Sequence, residues 1–161
     1  MRHYLILLLI CLSPALAGAQ SIWQSVPSGT GKDLLTISFG SNTTGYIGGK
    51  DSTLLKTVDG GQHWTPVQAS GLTLNVASPD IIHLNFISAD TGFAITSMYT
   101  YPEFKGTLHQ TTNGGATWTV LQPGTIAAYT SFFFDASNGF LAGAAFFGGH
   151  VIAAQYNGVW S

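Results

Sequence analysis

Arginine is almost missing from this chain: Arg2 is the only one. Cysteine is as scarce, with Cys11 alone, and charged residues of every kind make up 7% of the 161 positions. Each shortage excludes something. One cysteine cannot form a disulfide within the chain. Five basic residues against seven acidic ones leave a net charge of −2 with no basic cluster. Nucleic acid and anionic membrane surfaces both need such a cluster, so neither fits as a partner. Beyond residue 19 no stretch has helical periodicity, and no apolar run is long enough to span a bilayer as a helix.

The first 19 residues stand apart. Arg2 and His3 precede an unbroken apolar run from Leu5 to Leu12, Ser13-Pro14 breaks it, and Ala15-Leu16-Ala17-Gly18-Ala19 offers small-x-small cleavage sites. This pattern is that of a secretory signal peptide, cut before Gln20 or Gly18. Cys11 lies inside the apolar run after bulky Ile10, which does not suit lipidation. Cleavage would remove both Arg2 and Cys11, leaving four lysines and seven acids and a formal charge of about −3. The expected location is secreted, periplasmic or extracellular, and the mature chain would carry no integral membrane segment.

What the chain has in abundance is repetition. Phe39, Phe86 and Phe133 each end an apolar run, at intervals of 47 residues. Six residues after each comes a glycine followed by an aromatic: Gly45-Tyr46, Gly92-Phe93 and Gly139-Phe140. A turn and a tryptophan close each unit: Asp59-Gly60-Gly61 with Trp64, Asn113-Gly114-Gly115 with Trp118, and a shortened Asn157-Gly158 with Trp160. β-branched and aromatic runs predict strands at 34–39, 44–48, 53–57 and 64–67, then 81–86, 92–96, 107–111 and 117–121, then 129–134, 139–142 and 151–155. Only 160–161 is left for a last one.

Four short antiparallel strands per unit of this length describe a propeller blade. The predicted fold is therefore all-β: a β-propeller of four-stranded antiparallel blades, with about three present. Residues 20–161 divide into a stray outer strand at 20–27 around Trp23, blades at 33–67 and 80–121, and an incomplete blade at 128–161. Propellers close with four to eight blades. The expectation is thus a partial ring continued in a longer parent sequence, or one completed by a homo-oligomer.

The turns Thr57-Val58-Asp59-Gly60-Gly61-Gln62-His63-Trp64 and Thr111-Thr112-Asn113-Gly114-Gly115-Ala116-Thr117-Trp118 resemble the Asp-box, or bacterial neuraminidase repeat, Ser/Thr-x-Asp-x-Gly-x-x-Trp. The units look most like Asp-box propellers of the photosystem II assembly-factor type and related sortilin-like repeats. That resemblance implies a propeller fold and, for the first group, an assembly role. Physically, the box residues Asp59, Gly61, Trp64, Asn113, Gly115, Trp118, Asn157 and Trp160 read as structural: the Asp or Asn caps backbone N–H groups while the glycines take positive φ.

The same resemblance raises the sialidases, which as a family hold a substrate carboxylate with three arginines and use a Tyr-Glu pair. A mature chain without arginine cannot build that site. A two-carboxylate glycosidase of sialidase-like or xyloglucanase-like propeller type is the alternative function. It would draw on Asp33, Asp51, Asp80 and Glu103, which no motif pairs. Asp90-Thr91-Gly92 mimics an aspartic-protease triplet but occupies a repeated turn. Ser28-Gly29-Thr30-Gly31-Lys32 lacks the features of a phosphate loop. His63, His83, His109 and His150 have no ligand spacing and read as ordinary sheet positions. The sequence therefore leans away from catalysis and names no catalytic, cofactor or metal residue.

Topology supplies the functional expectation. The 1–2 and 3–4 turns of a blade share one face, and the 2–3 and 4–1 connections share the other. The longer connections, 27–33, 68–80, 97–106 and 122–128, all fall on the second face, which marks it for interaction. Residues 97–106 carry Tyr99, Tyr101, Glu103, Phe104 and Lys105, a mixture suited to a protein or glycan surface. The expected function is a non-enzymatic scaffold that binds a protein or glycan partner through this long-loop face.

Overall fold

The computed structural model describes residues 23–72, 78–100, 103–144 and 151–157. Those residues form ten strands and no helix, and so none that could cross a membrane. Strands β1 (Leu34–Phe39), β2 (Gly45–Gly49), β3 (Leu54–Thr57) and β4 (Thr65–Pro66) make an antiparallel sheet in sequence order. The remaining strands are β5 (Asp80–Phe86), β6 (Gly92–Thr100), β7 (Glu103–Thr111), β8 (Thr119–Phe133), β9 (Asn138–Ala144) and β10 (Val151–Asn157). They run antiparallel in the order β10-β9-β8-β7-β6-β5. Two full blades and most of a third are present, as the repeat predicts.

The recurring Phe, Gly and aromatic positions explain how the blades join. Within a blade, the phenylalanine lies over the glycine of the next strand. A Cβ at Gly45, Gly92 or Gly139 would meet the ring of Phe39, Phe86 or Phe133 at 2.7, 2.5 and 2.4 Å, so only glycine fits. The aromatic after the glycine points to the opposite side of the sheet, as alternation requires. There it stacks on the phenylalanine of the next blade. Tyr46 stacks on Phe86 with centroids 3.7 Å apart and planes 9° from parallel. Phe93 stacks on Phe133 at 3.5 Å and 6°. All four are at most 4% exposed.

Around each stacked pair lies an apolar cluster. Leu54, Leu72, Ile81, Leu84 and Trp118 surround the first, and Ile95, Leu108, Ala128 and Leu141 the second. The first strands of successive blades are also tied by side chain to backbone hydrogen bonds. Leu84 N donates to Thr36 Oγ1 at 3.1 Å, and Phe86 N donates to Ser38 Oγ at 2.8 Å. One repeat later, Phe133 N donates to Asn85 Oδ1 at 2.8 Å, and His83 Nε2 meets Ser131 O at 2.8 Å.

The structure corrects several expectations. Residues 122–128 are not a loop: β8 runs through them, pairing with β7 up to Ile126 and with β9 from Ala127. Pro123 cannot donate to a ladder, but it falls in an irregularity between Leu108↔Gln122 and Gly106↔Ile126, where it need not. One strand thus serves two blades. Of the outer strand expected at 20–27, the described residues 23–27 are not in a strand. Among the described residues before β1 there is no strand, and Trp23 is 86% exposed. Instead Gly29, at φ 74°, lies near the Trp64 carbonyl, while Gly71, at φ 84°, lies against that of Trp118. The shared slot belongs to a connecting segment. Asn157 ends β10 opposite Asn138; the rest of the third box, Gly158 and Trp160, lies outside the described residues.

One buried polar group stands out in the core. His109 on β7 is fully buried, with Nε2 2.8 Å from Thr96 Oγ1. Its Nδ1 has no hydrogen bond of normal geometry among the described residues. Burial lowers its pKa to about 4, opposed only by a looser contact with the Gly71 backbone.

Two outcomes follow. Gly92→Ala should lower the urea midpoint by the equivalent of about 1–3 kcal/mol, because Phe86 is held between Tyr46 and Trp118 and cannot yield. Gly31→Ala, with open space around it, should leave the midpoint nearly unchanged. His109 is neutral when folded and titrates near its ordinary value when unfolded. Stability should therefore be full above pH ~6.5 and fall as pH drops toward about 4, by up to about 3 kcal/mol. His109→Gln should flatten that part of the urea-midpoint pH profile, and an unchanged slope would refute the assignment.

Candidate functional site

The Asp-box turns come first because they could be mistaken for a site. Thr57 Oγ1 donates to Asp59 Oδ1 at 2.7 Å and accepts from Gly61 N at 2.9 Å. Asp59 Oδ1 also accepts from Gln62 N and His63 N, both at 3.0 Å, and Oδ2 lies 2.7 Å from His63 Nδ1. The His63 backbone and ring, then Thr57, hold the Asp59 carboxyl far below the usual carboxylate range. His63 is therefore a turn residue, not the sheet position expected of it.

Asn113 repeats the arrangement without a charge. Its Oδ1 accepts from Thr111 Oγ1 at 3.0 Å and Thr117 N at 2.9 Å, and its Nδ2 donates to Thr117 Oγ1 at 2.8 Å. Gly61 and Gly115 both take positive φ. Gly60 N and Gly114 N donate to Thr43 O and Asp90 O, at 2.9 and 2.8 Å, in the 1–2 turn of the same blade. Trp64 and Trp118 stand edge-on to Phe39 and Phe86. The box thus caps its blade.

The opposite face, built from the 2–3 turns and the 4–1 connections, has different chemistry. In the first blade the turn between β2 and β3 carries Asp51 and Ser52, both at positive φ. Asp51 N donates to Asp80 Oδ1 at 3.1 Å, and Ser52 N donates to Pro79 O at 2.8 Å, which ties the turn to the start of the next blade. The dipeptides Lys32-Asp33 and Lys50-Asp51 pair crosswise. Lys50 Nζ is 3.3 Å from Asp33 Oδ2, and Lys32 Nζ contacts Asp51 Oδ2. The Lys32 hydrogen bond and charge hold the Asp51 pKa below its ordinary value. These pairs are exposed and contribute little stability, but they neutralise the face. Beside them a cavity of about 350 Å³ is bounded by Gly29, Ser52, Leu55, Pro66, Val67 and Ala69.

In the second blade the corresponding connection differs from the expected loop. Residues 97–100 and 103–106 are strand, because β6 and β7 continue as a hairpin that pairs Met98 with Lys105, Tyr99 with Phe104 and Thr100 with Glu103. Tyr99, Thr100, Phe104 and Thr107 suit an extended conformation. Tyr101 lies outside the described residues. Both strands are nine residues long, where β2 and β3 have five and four. The hairpin therefore reaches roughly 13 Å further from the sheet. The crosswise Lys-Asp pairing was missed in the sequence, where two Lys-Asp dipeptides at matching ends of β1 and β2 are its only signal.

Comparison with known proteins now has a geometry to meet. A family model described as photosynthesis system II assembly factor YCF48 matches residues 15–122, which take in both complete blades. The chain belongs to this family. It is similar in fold to the solved structure of YCF48 bound to D1 peptide, with a TM-score of 0.60 at 20% identity over 84% of this chain. It spans 41% of that structure's length. YCF48 from Cyanidioschyzon merolae matches at a TM-score of 0.38 and 15% identity, over 78% of this chain and 51% of its own. No curated protein sequence matches.

Of the carboxylates considered for a glycosidase, Asp33 and Asp51 face lysines and Asp80 faces a backbone N–H. The downward shift at Asp51 is the opposite of what a general acid needs.

The two boxes generate a paired outcome. Asp59→Asn should fold normally, since Asn113 shows that an amide serves, whereas Asp59→Ala should lower the melting midpoint by a few degrees. The stabilisation from the depressed Asp59 carboxyl is present above its unfolded pKa near 4 and is lost as pH falls through the folded value. Asp59→Asn should therefore reduce the acid sensitivity of the melting midpoint. Equal loss in both variants would show that the oxygen acceptor is not what matters.

Proposed function

We propose that this chain is an exported, non-enzymatic propeller segment that binds a polypeptide through its 2–3 and 4–1 face. The observation that carries the reading is the β6–β7 hairpin, which enlarges that face in a chain of the YCF48 family. A solved member of that family is a complex with D1 peptide, and a D1 peptide is accordingly the first ligand to test. The extended hairpin offers backbone and aromatic positions to an extended peptide, one of the recurrent modes of peptide recognition. Lys32 and Lys50 are already opposed by Asp51 and Asp33, so attraction of net charge is not the driving force.

Export rests on residues 1–19, whose short apolar run and small-residue site fit a cleaved leader. Asp33, Asp51 and Asp80 are engaged in holding the fold's own turns, which favours binding over glycoside hydrolysis.

The expected result is saturable binding of a labelled D1 peptide in fluorescence anisotropy, weakly dependent on salt. Tyr99→Ala with Tyr101→Ala should weaken it about tenfold or more while the far-UV circular dichroism stays unchanged. No saturable binding by the unaltered chain would sink the reading, and a purely salt-driven interaction would move the site elsewhere. The N-terminus of the exported protein should be Gln20 or Gly18.

A further inference from the structure

Inside the second blade, β6 and β7 are flanked on both sides. β5 pairs with β6 from Phe86↔Gly92 back to Asp80↔Ser97, and β8 pairs with β7 as far as Gly106↔Ile126. Both neighbours then leave the ladder at the same level. Ahead of Asp80 comes Pro79, which has no N–H to give. Its carbonyl is turned to the first blade, where it accepts from Ser52 N at 2.8 Å and Ser52 Oγ at 3.1 Å. On the other side β8 pairs with β9 from Ala127 onward. It passes so close to β7 that a Cβ at Gly106 would meet Ala128 O at 2.6 Å. Beyond that level Met98–Thr100 and Glu103–Lys105 pair only with each other among the described residues.

The tip is therefore a two-stranded ribbon with backbone groups along both edges, alternate residues turning N–H and C=O outward. Such a ribbon is marginally stable alone, and a third strand steadies it. The two edges are not equivalent. The β7 edge reads Glu103-Phe104-Lys105, and charged residues on an edge strand discourage pairing with another chain. The β6 edge reads Met98-Tyr99-Thr100. It has no charge and no proline, and Tyr and Thr are good strand formers. It is also the edge in line with β5, whose part in the ladder starts at Asp80.

We propose, on the peptide-binding reading above, that an extended peptide docks by adding as a strand to the Met98–Thr100 edge of β6, in line with β5. Main-chain hydrogen bonds then supply the affinity, and the peptide's side chains alternate between the two sides of the ribbon. The ligand class is a segment that can be fully extended and is free of proline where its N–H groups face β6. No attraction of net charge is needed, in keeping with the crosswise pairs Lys32–Asp51 and Lys50–Asp33 on the same face.

The test is an N-methyl scan of the labelled D1 peptide probe against the unaltered chain in fluorescence anisotropy, joined to amide hydrogen exchange of the complex. Methylating one peptide nitrogen at a time should weaken binding about tenfold at every second residue of the docked stretch, and about twofold or less in between. On binding, amide exchange should slow within 98–100 and stay unchanged within 103–105. A probe that binds without the alternating pattern, or that protects 103–105 instead, would overturn strand addition at this edge and leave the peptide-binding reading standing. Protection of 98–100 that grows with protein concentration before any probe is added would give the edge to a second copy and overturn the proposal too. No saturable binding of the unmethylated probe would remove the peptide-binding reading itself, and strand addition with it.

Discussion

The stack of one aromatic ring on another across each blade boundary is the contact on which the rest of this fold depends. It sets the spacing between sheets, and it explains three positions of the repeat together. The phenylalanine must lie flat against its own blade to receive a ring from the blade before. That requires a glycine beneath it, because any Cβ there would occupy the ring's place. The residue after the glycine then points through the sheet to the other side and supplies the next stack. A propeller blade has two apolar faces and cannot bury either alone. This single contact, repeated, buries both.

The two rims of the arc have divided the remaining work. On one rim the Asp-boxes cap the 3–4 turns with their own side chains and leave little hydrogen-bonding capacity over. The exchange of Asp59 for Asn113 with nearly the same bonds shows that the oxygen acceptor matters there and the charge does not. On the other rim the turns are tied to the following blade, charges are paired crosswise, and one hairpin extends well past its neighbours. Family membership and the enlargement of that rim support the same functional reading from independent directions, one from sequence and one from geometry.

Much of this was legible in the sequence because repetition is visible without structure. Phe39, Phe86 and Phe133 marked the blades, β1 falls where the alternation of 34–39 places it, and the Asp-boxes sit at the 3–4 turns. The errors share a physical cause. The 97–106 stretch and the 122–128 stretch both contain Pro or Gly among good strand formers, and local composition favoured a loop in each. Pairing with a neighbouring strand outweighed that preference, as it does for Pro123, which the ladder places in an irregularity. Trp23 misled for another reason: its match to Trp64 was read as a strand, whereas the structure uses the slot after it to seat a glycine near the next tryptophan.

The sequence alone determined the repeat, the all-β class, the box turns and the lack of an arginine site, because each depends on residue type at a fixed spacing. Which side of the sheet each aromatic faces, and therefore that Tyr46 stacks on Phe86 and Phe93 on Phe133, was decided only by tertiary structure. The crosswise pairing of Lys32 with Asp51 and Lys50 with Asp33 was decided there too. Spacing along a chain records which residues recur, but a contact between blades depends on the direction of a side chain and on the distance between sheets, and both are fixed only when the blades pack.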